Sequence, residues 1–155
     1  MKKILFIAAL ITATVSQSFG QNTALQSTDI LTLYYNIKDA LVTGNTALAV
    51  SKAKEFEKSM GSIGQNALPE AIRNSLTNEA NQISSSKDIK VQRAAFANLS
   101  NALLSVAKTE KISTQPVYQL YCPMKKSYWL SSEKAVKNPY YGSSMLTCGE
   151  VVGTI

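Results

Sequence analysis

Histidine is absent from this chain of 155 residues, and cysteine occurs only twice. The lack of histidine excludes Ser-His-Asp and Cys-His catalytic arrangements, His-ligated zinc and the haem-attachment motif Cys-x-x-Cys-His. The 10 acidic residues are spread along the chain with no spacing that predicts an acid/base pair. We therefore expect that the protein is not an enzyme.

Long apolar runs are missing after the first twenty residues. Those residues begin with a methionine and two lysines, continue with an apolar run over 4–15 and close with polar and small residues. The run is too short for the roughly 20 residues of a membrane-spanning helix, while Ser18 and Gly20 suit a signal peptidase. We predict that residues 1–20 are a signal peptide cleaved after Gly20. The mature chain is expected in the periplasm, with no membrane span.

Charge of one sign does not dominate the chain. The full sequence has 16 basic and 10 acidic residues, and removal of the signal peptide takes away two of the lysines. The remaining lysines are scattered, and no Arg-rich helix or basic strand with interleaved aromatics is present, so we expect no nucleic-acid partner. The length left after cleavage is that of one ordinary domain, which we place at 21–155.

Apolar residues at three-to-four-residue spacing predict four amphipathic helices within 28–112. Asp29, Asn45 and Asp88 are candidate N-caps, and Pro69 suits the first turn of the third helix. The polar residues 21–27 are expected to form a flexible lead. The predicted buried stripes are Ile30, Leu33 or Tyr34, Ile37 and Leu41; Ala49, Ala53, Phe56 and Met60; Ile72, Leu76, Ala80 and Ile83; and Phe96, Leu99, Leu103 and Val106. Short loops between such helices favour a mainly α fold, an antiparallel four-helix bundle.

The last part of the chain, 113–155, has a different character. Residues 117–121 are β-branched and aromatic and predict a short strand, with 128–130 as its partner. The segment 138–142 reads Asn-Pro-Tyr-Tyr-Gly, which is typical of a turn. We expect a small C-terminal hairpin and loop cap on the bundle.

Both cysteines lie in this cap, each near a methionine, as Cys122-Pro-Met124 and Met145-Leu-Thr-Cys148. On an extended segment the side chains of i and i+2 project to one side, and in a turn those of i and i+3 do so. Thiolate and thioether sulfurs prefer soft ions. The four residues Cys122, Met124, Met145 and Cys148 are therefore candidate ligands for Cu(I) or Ag(I).

The two cysteines also permit a disulfide. Exported proteins often carry such bridges, and one between Cys122 and Cys148 would enclose 25 residues and contribute ~3 kcal/mol by chain entropy. Met124 and Met145 would then be ordinary packing residues. The residues alone leave the soft-metal site and the disulfide open.

The cap also carries a resemblance to a known family. The residues concerned are Tyr121-Cys122-Pro123-Met124, Tyr128-Trp129-Leu130-Ser131 with Glu133, Asn138-Pro139-Tyr140-Tyr141-Gly142 and Met145-Leu146-Thr147-Cys148-Gly149-Glu150-Val151, with Arg93, Phe96, Leu99 and Ser100 upstream. In this order they closely resemble the family called domain of unknown function three-three-four-seven. Its members are envelope proteins of Gram-negative bacteria, alone or attached to adaptor subunits of copper/silver-type efflux pumps.

The resemblance implies a periplasmic copper- or silver-binding accessory protein, with an efflux adaptor or a cuproprotein as partner. The alternative is a disulfide-stapled periplasmic interaction module without metal. Two differences from the related sequences limit which ligand residues can be transferred to this chain. Ala94-Ala95 stands where many relatives carry a histidine, and Lys125 stands where a similar heavy-metal module, Tyr-x-Cys-Pro-Met-His-Pro, has histidine.

Overall fold

The structure is a computed structural model that describes residues 21–63, 68–110 and 112–155. The predicted signal peptide, residues 1–20, lies outside the described residues. The helices are α1 (Gln21–Val42), α2 (Thr46–Ser62), α3 (Glu70–Ser84) and α4 (Ile89–Thr109). The strands are β1 (Tyr118–Cys122), β2 (Ser127–Ser131) and β3 (Glu150–Thr154), with a 3₁₀ turn at Gly142–Met145 before β3. The prediction of a mainly helical chain with a small C-terminal β element is confirmed.

Two of the predicted N-caps act as caps in the structure. The Asn45 side chain accepts a hydrogen bond from the Leu48 N–H at 2.9 Å, and that of Asp88 accepts one from the Lys90 N–H at 2.8 Å. Each satisfies a backbone donor that the first helical turn leaves without a partner. The flexible lead predicted for residues 21–27 is wrong, because these residues belong to α1, so Asp29 lies inside a helix and does not begin one.

The apolar stripes of the four helices form one core. Every predicted stripe residue is buried except Leu33 and Ile72, which are partly buried and pack against that core. Tyr34 and Phe96 stack at its centre with ring centroids 5.0 Å apart. No helix in the described part of the chain combines the length and apolarity that crossing a membrane requires.

The C-terminal cap is a three-stranded antiparallel sheet in the order β2-β1-β3. The predicted hairpin is confirmed as β1 and β2, but the cap has a third strand that the sequence did not predict. β3 is largely exposed and contains Gly153, so it shows no alternation of buried and exposed residues. β3 adopts a strand conformation because it pairs with β1, and a local sequence pattern cannot reveal such a long-range pairing.

Hydrogen bonds of Tyr34 connect the helices to this sheet. Its buried hydroxyl lies 2.7 Å from the Ser100 hydroxyl of α4 and accepts the Leu130 N–H of β2 at 3.1 Å. Burial raises the pKa of Tyr34 above its ordinary value, so the phenol stays neutral. The edge of β2 therefore faces the helices, and β3 forms the opposite, open edge of the sheet.

Candidate functional site

Cys122 is the last residue of β1 and is fully buried. The four residues 123–126 form the turn into β2, and Lys126 has the positive φ of 54° that closes it. The Lys125 backbone N–H points back at the Cys122 Sγ across 3.4 Å. Met124 therefore lies in a turn, and the expectation that it projects beside Cys122 from an extended segment is wrong.

Cys148 follows the 3₁₀ turn and is half-buried. Its backbone N–H donates to the Met145 carbonyl at 3.1 Å, which makes Met145 and Cys148 the ends of one tight turn. The spacing of these two residues predicted a turn, and the backbone has that geometry.

The fold brings the two thiols together. Both cysteines are free in the structure, and the Cys148 thiol lies near enough to the Cys122 thiol to interact with it electrostatically. Burial and the neighbouring Cys122 raise the pKa of Cys148, and the Met124 N–H lowers it to a smaller extent. Cys148 thus keeps its proton more readily than an ordinary thiol.

Asn138 organises the surroundings of both cysteines. Its buried side-chain amide donates to the Cys122 Sγ at 3.2 Å and to the Cys148 carbonyl at 2.6 Å. Its side-chain oxygen accepts the N–H groups of Tyr140 at 2.8 Å and Tyr141 at 3.3 Å. One amide thereby joins the end of β1, the 138–142 turn and the Cys148 backbone.

Both methionines lie at the surface beside the thiols. Met124 is 60 % exposed and Met145 is 39 % exposed, so neither is a packed core residue. The Cys148 backbone N–H donates to the Met145 carbonyl, and Met124 lies two residues after Cys122 in the turn into β2. The fold therefore brings the backbone of all four predicted residues into one region of the cap, with the two cysteines held by Asn138.

A family model described as Protein of unknown function (DUF3347) matches residues 30–115, more than half of the chain. The chain belongs to this DUF3347 family. No curated protein and no solved structure matches it. The segment that matches the DUF3347 model is the helical bundle, including Arg93 and Phe96. The cap residues from Tyr121 onward, on which the resemblance was drawn, lie outside the matched segment.

Asn138 is the residue of this DUF3347 protein that the sequence did not single out for the site. Its Asn-Pro pair predicted only a turn, and the two N–H groups it accepts from Tyr140 and Tyr141 are that turn. Its donors reach Cys122 and Cys148, 16 residues back and 10 residues ahead in sequence. No local spacing pattern predicts that this amide reaches the Cys122 sulfur and the Cys148 carbonyl.

Asn138→Leu is expected to destabilise the reduced protein by ~2–5 kcal/mol. Leucine has a similar volume but leaves the N–H groups of Tyr140 and Tyr141 and the Cys148 carbonyl without their partner, and each such buried group costs ~1–3 kcal/mol. Urea unfolding of wild type and variant measures the difference. The matched control is Asn101→Leu on the exposed face of α4, expected to stay within ~0.5 kcal/mol. Equal stability of the two variants would contradict the role given to Asn138.

Proposed function

We propose that this protein is a periplasmic accessory protein that binds a soft metal ion, copper or silver, for metal handling or efflux. The observation that supports this most is the proximity of the free thiols of Cys122 and Cys148 at the rim of the cap. Two thiols held close together provide the charged soft ligands that Cu(I) and Ag(I) prefer.

The groups around Cys122 suit a thiolate bound to metal. Its Sγ accepts N–H groups from Lys125 at 3.4 Å and from Asn138 at 3.2 Å. Donors of this kind stabilise the charged sulfur and orient it, as the outer contacts of a metal ligand do. The Lys125 contribution comes from its backbone N–H and not from its ammonium group.

The donor set favours a soft ion over a hard one. The described residues contain no group of three or more His, Cys, Asp and Glu side chains that could hold a metal. The proposed site therefore consists of the two cysteines, completed by Met124 and Met145 when these exposed side chains turn inward. Such a set excludes the oxygen and nitrogen donors that Mg(II) and most zinc sites require.

The proposed location and partners follow from the sequence. Cleavage after Gly20 would release the chain into the periplasm, where an efflux adaptor or a cuproprotein would take the ion from the side of the half-buried Cys148 and the exposed methionines. We also infer that the four helices run antiparallel, because residues 43–45 and 85–88 are the short connections typical of adjacent antiparallel helices.

The experiment is a competition titration of reduced protein with a Cu(I) chelator. We expect the wild type to retain one equivalent of Cu(I), because both thiols are available to bind the ion in the reduced protein. Protein alkylated at both cysteines, with unfolding and refolding to reach the buried Cys122, is expected to retain none. Equal retention by the reduced and alkylated forms would overturn the proposed function.

The same thiol pair favours a second candidate, a disulfide-stapled interaction module. Oxidation would join Cys122 and Cys148 and stabilise the cap by ~3 kcal/mol. The discriminating measurement is the state of the thiols in protein taken from the periplasm. Two thiols that react with an alkylating reagent once unfolding exposes Cys122, together with bound metal in the isolated protein, support the metal site, and an intact bridge with no bound metal supports the module.

A further inference from the structure

A cavity lies beside the turn that carries Lys125. It has a volume of about 320 Å³ and is lined by Lys90 and Arg93 of α4, by Lys125 and by Tyr140 and Tyr141. All three charged residues of the lining are cations, and they come from two elements far apart in sequence. The fold thus gathers like charges at one cavity, which is unfavourable unless an anion offsets them.

These cations have no acidic partners. Among the described residues, the ion pairs are Lys38 with Asp39, Lys52 with Glu55 and Lys137 with Glu133, and none includes a cavity residue. Asp88 is the acidic residue that contacts this part of α4, and its side chain accepts the Lys90 backbone N–H at 2.8 Å as the helix cap. The three side-chain charges are therefore free for a ligand.

Arg93 is held in a fixed position. Its Nη2 donates to the Leu41 carbonyl at 2.9 Å, and its Nε is buried without a hydrogen-bond partner. Gly142 makes room for this guanidinium, because a Cβ there would overlap Nη2 and lie 2.8 Å from the Val42 carbonyl. Burial lowers the pKa of Arg93, and the ion pairs among the described residues do not include it.

The two tyrosines form an aromatic wall. The Tyr140 hydroxyl donates to the Tyr128 carbonyl, and its ring packs edge-on against Trp129 with centroids 6.0 Å apart. Tyr140 is therefore rigid, and it offers the cavity a ring rather than a hydroxyl. A cavity of this kind is preformed, with one apolar wall and three converging cations.

We propose that this cavity binds a small oxyanion with more than one negative charge, of the phosphate or polycarboxylate class. The Lys90 and Lys125 ammonium groups can form charge-assisted hydrogen bonds with the oxygens of such ions, and the guanidinium of Arg93, whose Nη2 donates to the Leu41 carbonyl, adds a fixed positive charge to the cavity wall. The cavity is at the small end of the size range for ligand sites, which suits a small ion better than a nucleotide. The site adjoins the thiol pair, because the Lys125 backbone N–H donates to the Cys122 Sγ, but it uses the lysine side chain and does not depend on the proposed metal function.

The test is an NMR titration of the mature, reduced, metal-free protein with phosphate and with citrate at constant ionic strength. We expect saturable shifts of the backbone amides of Lys90, Arg93 and Lys125. Lys90→Gln with Lys125→Gln should weaken binding at least about tenfold, since two charge-assisted contacts are lost. The matched control, Lys54→Gln with Lys58→Gln on the exposed face of α2, has the same net charge and should bind as the wild type does.

Three results would overturn the proposal. The first is the absence of saturation with either ion, and the second is an equal loss of binding in both double variants, which would indicate general charge screening. The third is saturable binding of a glutamate-rich peptide by a protein that binds neither small ion, which would assign the cavity to the carboxylates of a protein partner. Because no metal is present, failure here leaves the Cu(I) titration unaffected.

Discussion

Leu103→Asp is expected to unfold the protein at room temperature. Leu103 is 1 % exposed and lies on the buried face of α4, within the core that all four helices share. The carboxylate of the variant would lie in this buried apolar core, where an ionised group without a paired cation is strongly unfavourable. The expected loss of several kcal/mol is comparable with the total stability of a small domain, which is about 5–15 kcal/mol.

Circular dichroism measures this loss through the helical signal and its thermal transition. The matched control is Asn98→Asp, which adds the same charge to the exposed face of the same helix and is expected to change stability by less than ~0.5 kcal/mol. A Leu103→Asp protein that melts at the wild-type temperature would show that the core is assigned to the wrong face of α4.

The helices could be predicted because burial in a helix leaves a local pattern. Ala49, Ala53, Phe56 and Met60 of α2 are all buried, as their spacing predicts. The same holds for Phe96, Leu99, Leu103 and Val106 of α4. Each stripe repeats within one helix, so a short window of sequence contains the whole signal.

β3 and residues 21–27 could not be predicted for the opposite reason. The conformation of β3 depends on β1, whose Leu120 pairs with Val151, 31 residues later in the chain. Residues 21–27 are mostly polar, with only Ala24 and Leu25 apolar and therefore no apolar stripe, yet they form the first turns of α1. In both cases the local sequence has little preference for helix or strand, and the adjoining secondary structure determines the conformation.

The candidate site was predicted in part. The presence of both cysteines in a small cap indicated that they would be close, and the thiols of Cys122 and Cys148 lie close together. Met124 was predicted to project beside Cys122 from an extended segment. That prediction is wrong, because the chain turns immediately after Cys122. The amide of Asn138 was missed, since only the folded chain brings it to both cysteines.

Replacing either cysteine by serine is expected to cause the largest change in metal affinity. A thiolate supplies a charged soft ligand, whereas a serine hydroxyl is a neutral hard one. We expect Cys122→Ser and Cys148→Ser each to weaken Cu(I) binding by more than the ~100-fold that the loss of an outer hydrogen bond costs at metal sites. Serine can still accept the hydrogen bonds that Lys125 and Asn138 donate to Cys122, so the fold should persist.

Met124→Leu and Met145→Leu should weaken Cu(I) binding by less than either cysteine variant, because a thioether is a neutral ligand. Both methionines are exposed, so their replacement should leave the unfolding transition unchanged. Met60→Leu is the matched control, since it removes a thioether from the core of α2, far from the cap, and should leave metal affinity unchanged.

Competition titrations at several pH values give these affinities on one scale. Cu(I) must displace the Cys148 proton, and burial and Cys122 raise the pKa of this thiol, so wild-type affinity should fall as the pH is lowered. Cys148→Ser should lose most of that pH dependence along with the binding itself. Wild-type affinity in a Cys122→Ser, Cys148→Ser double variant would exclude the thiol pair as the site, because no other cysteine or histidine exists in the chain to replace it.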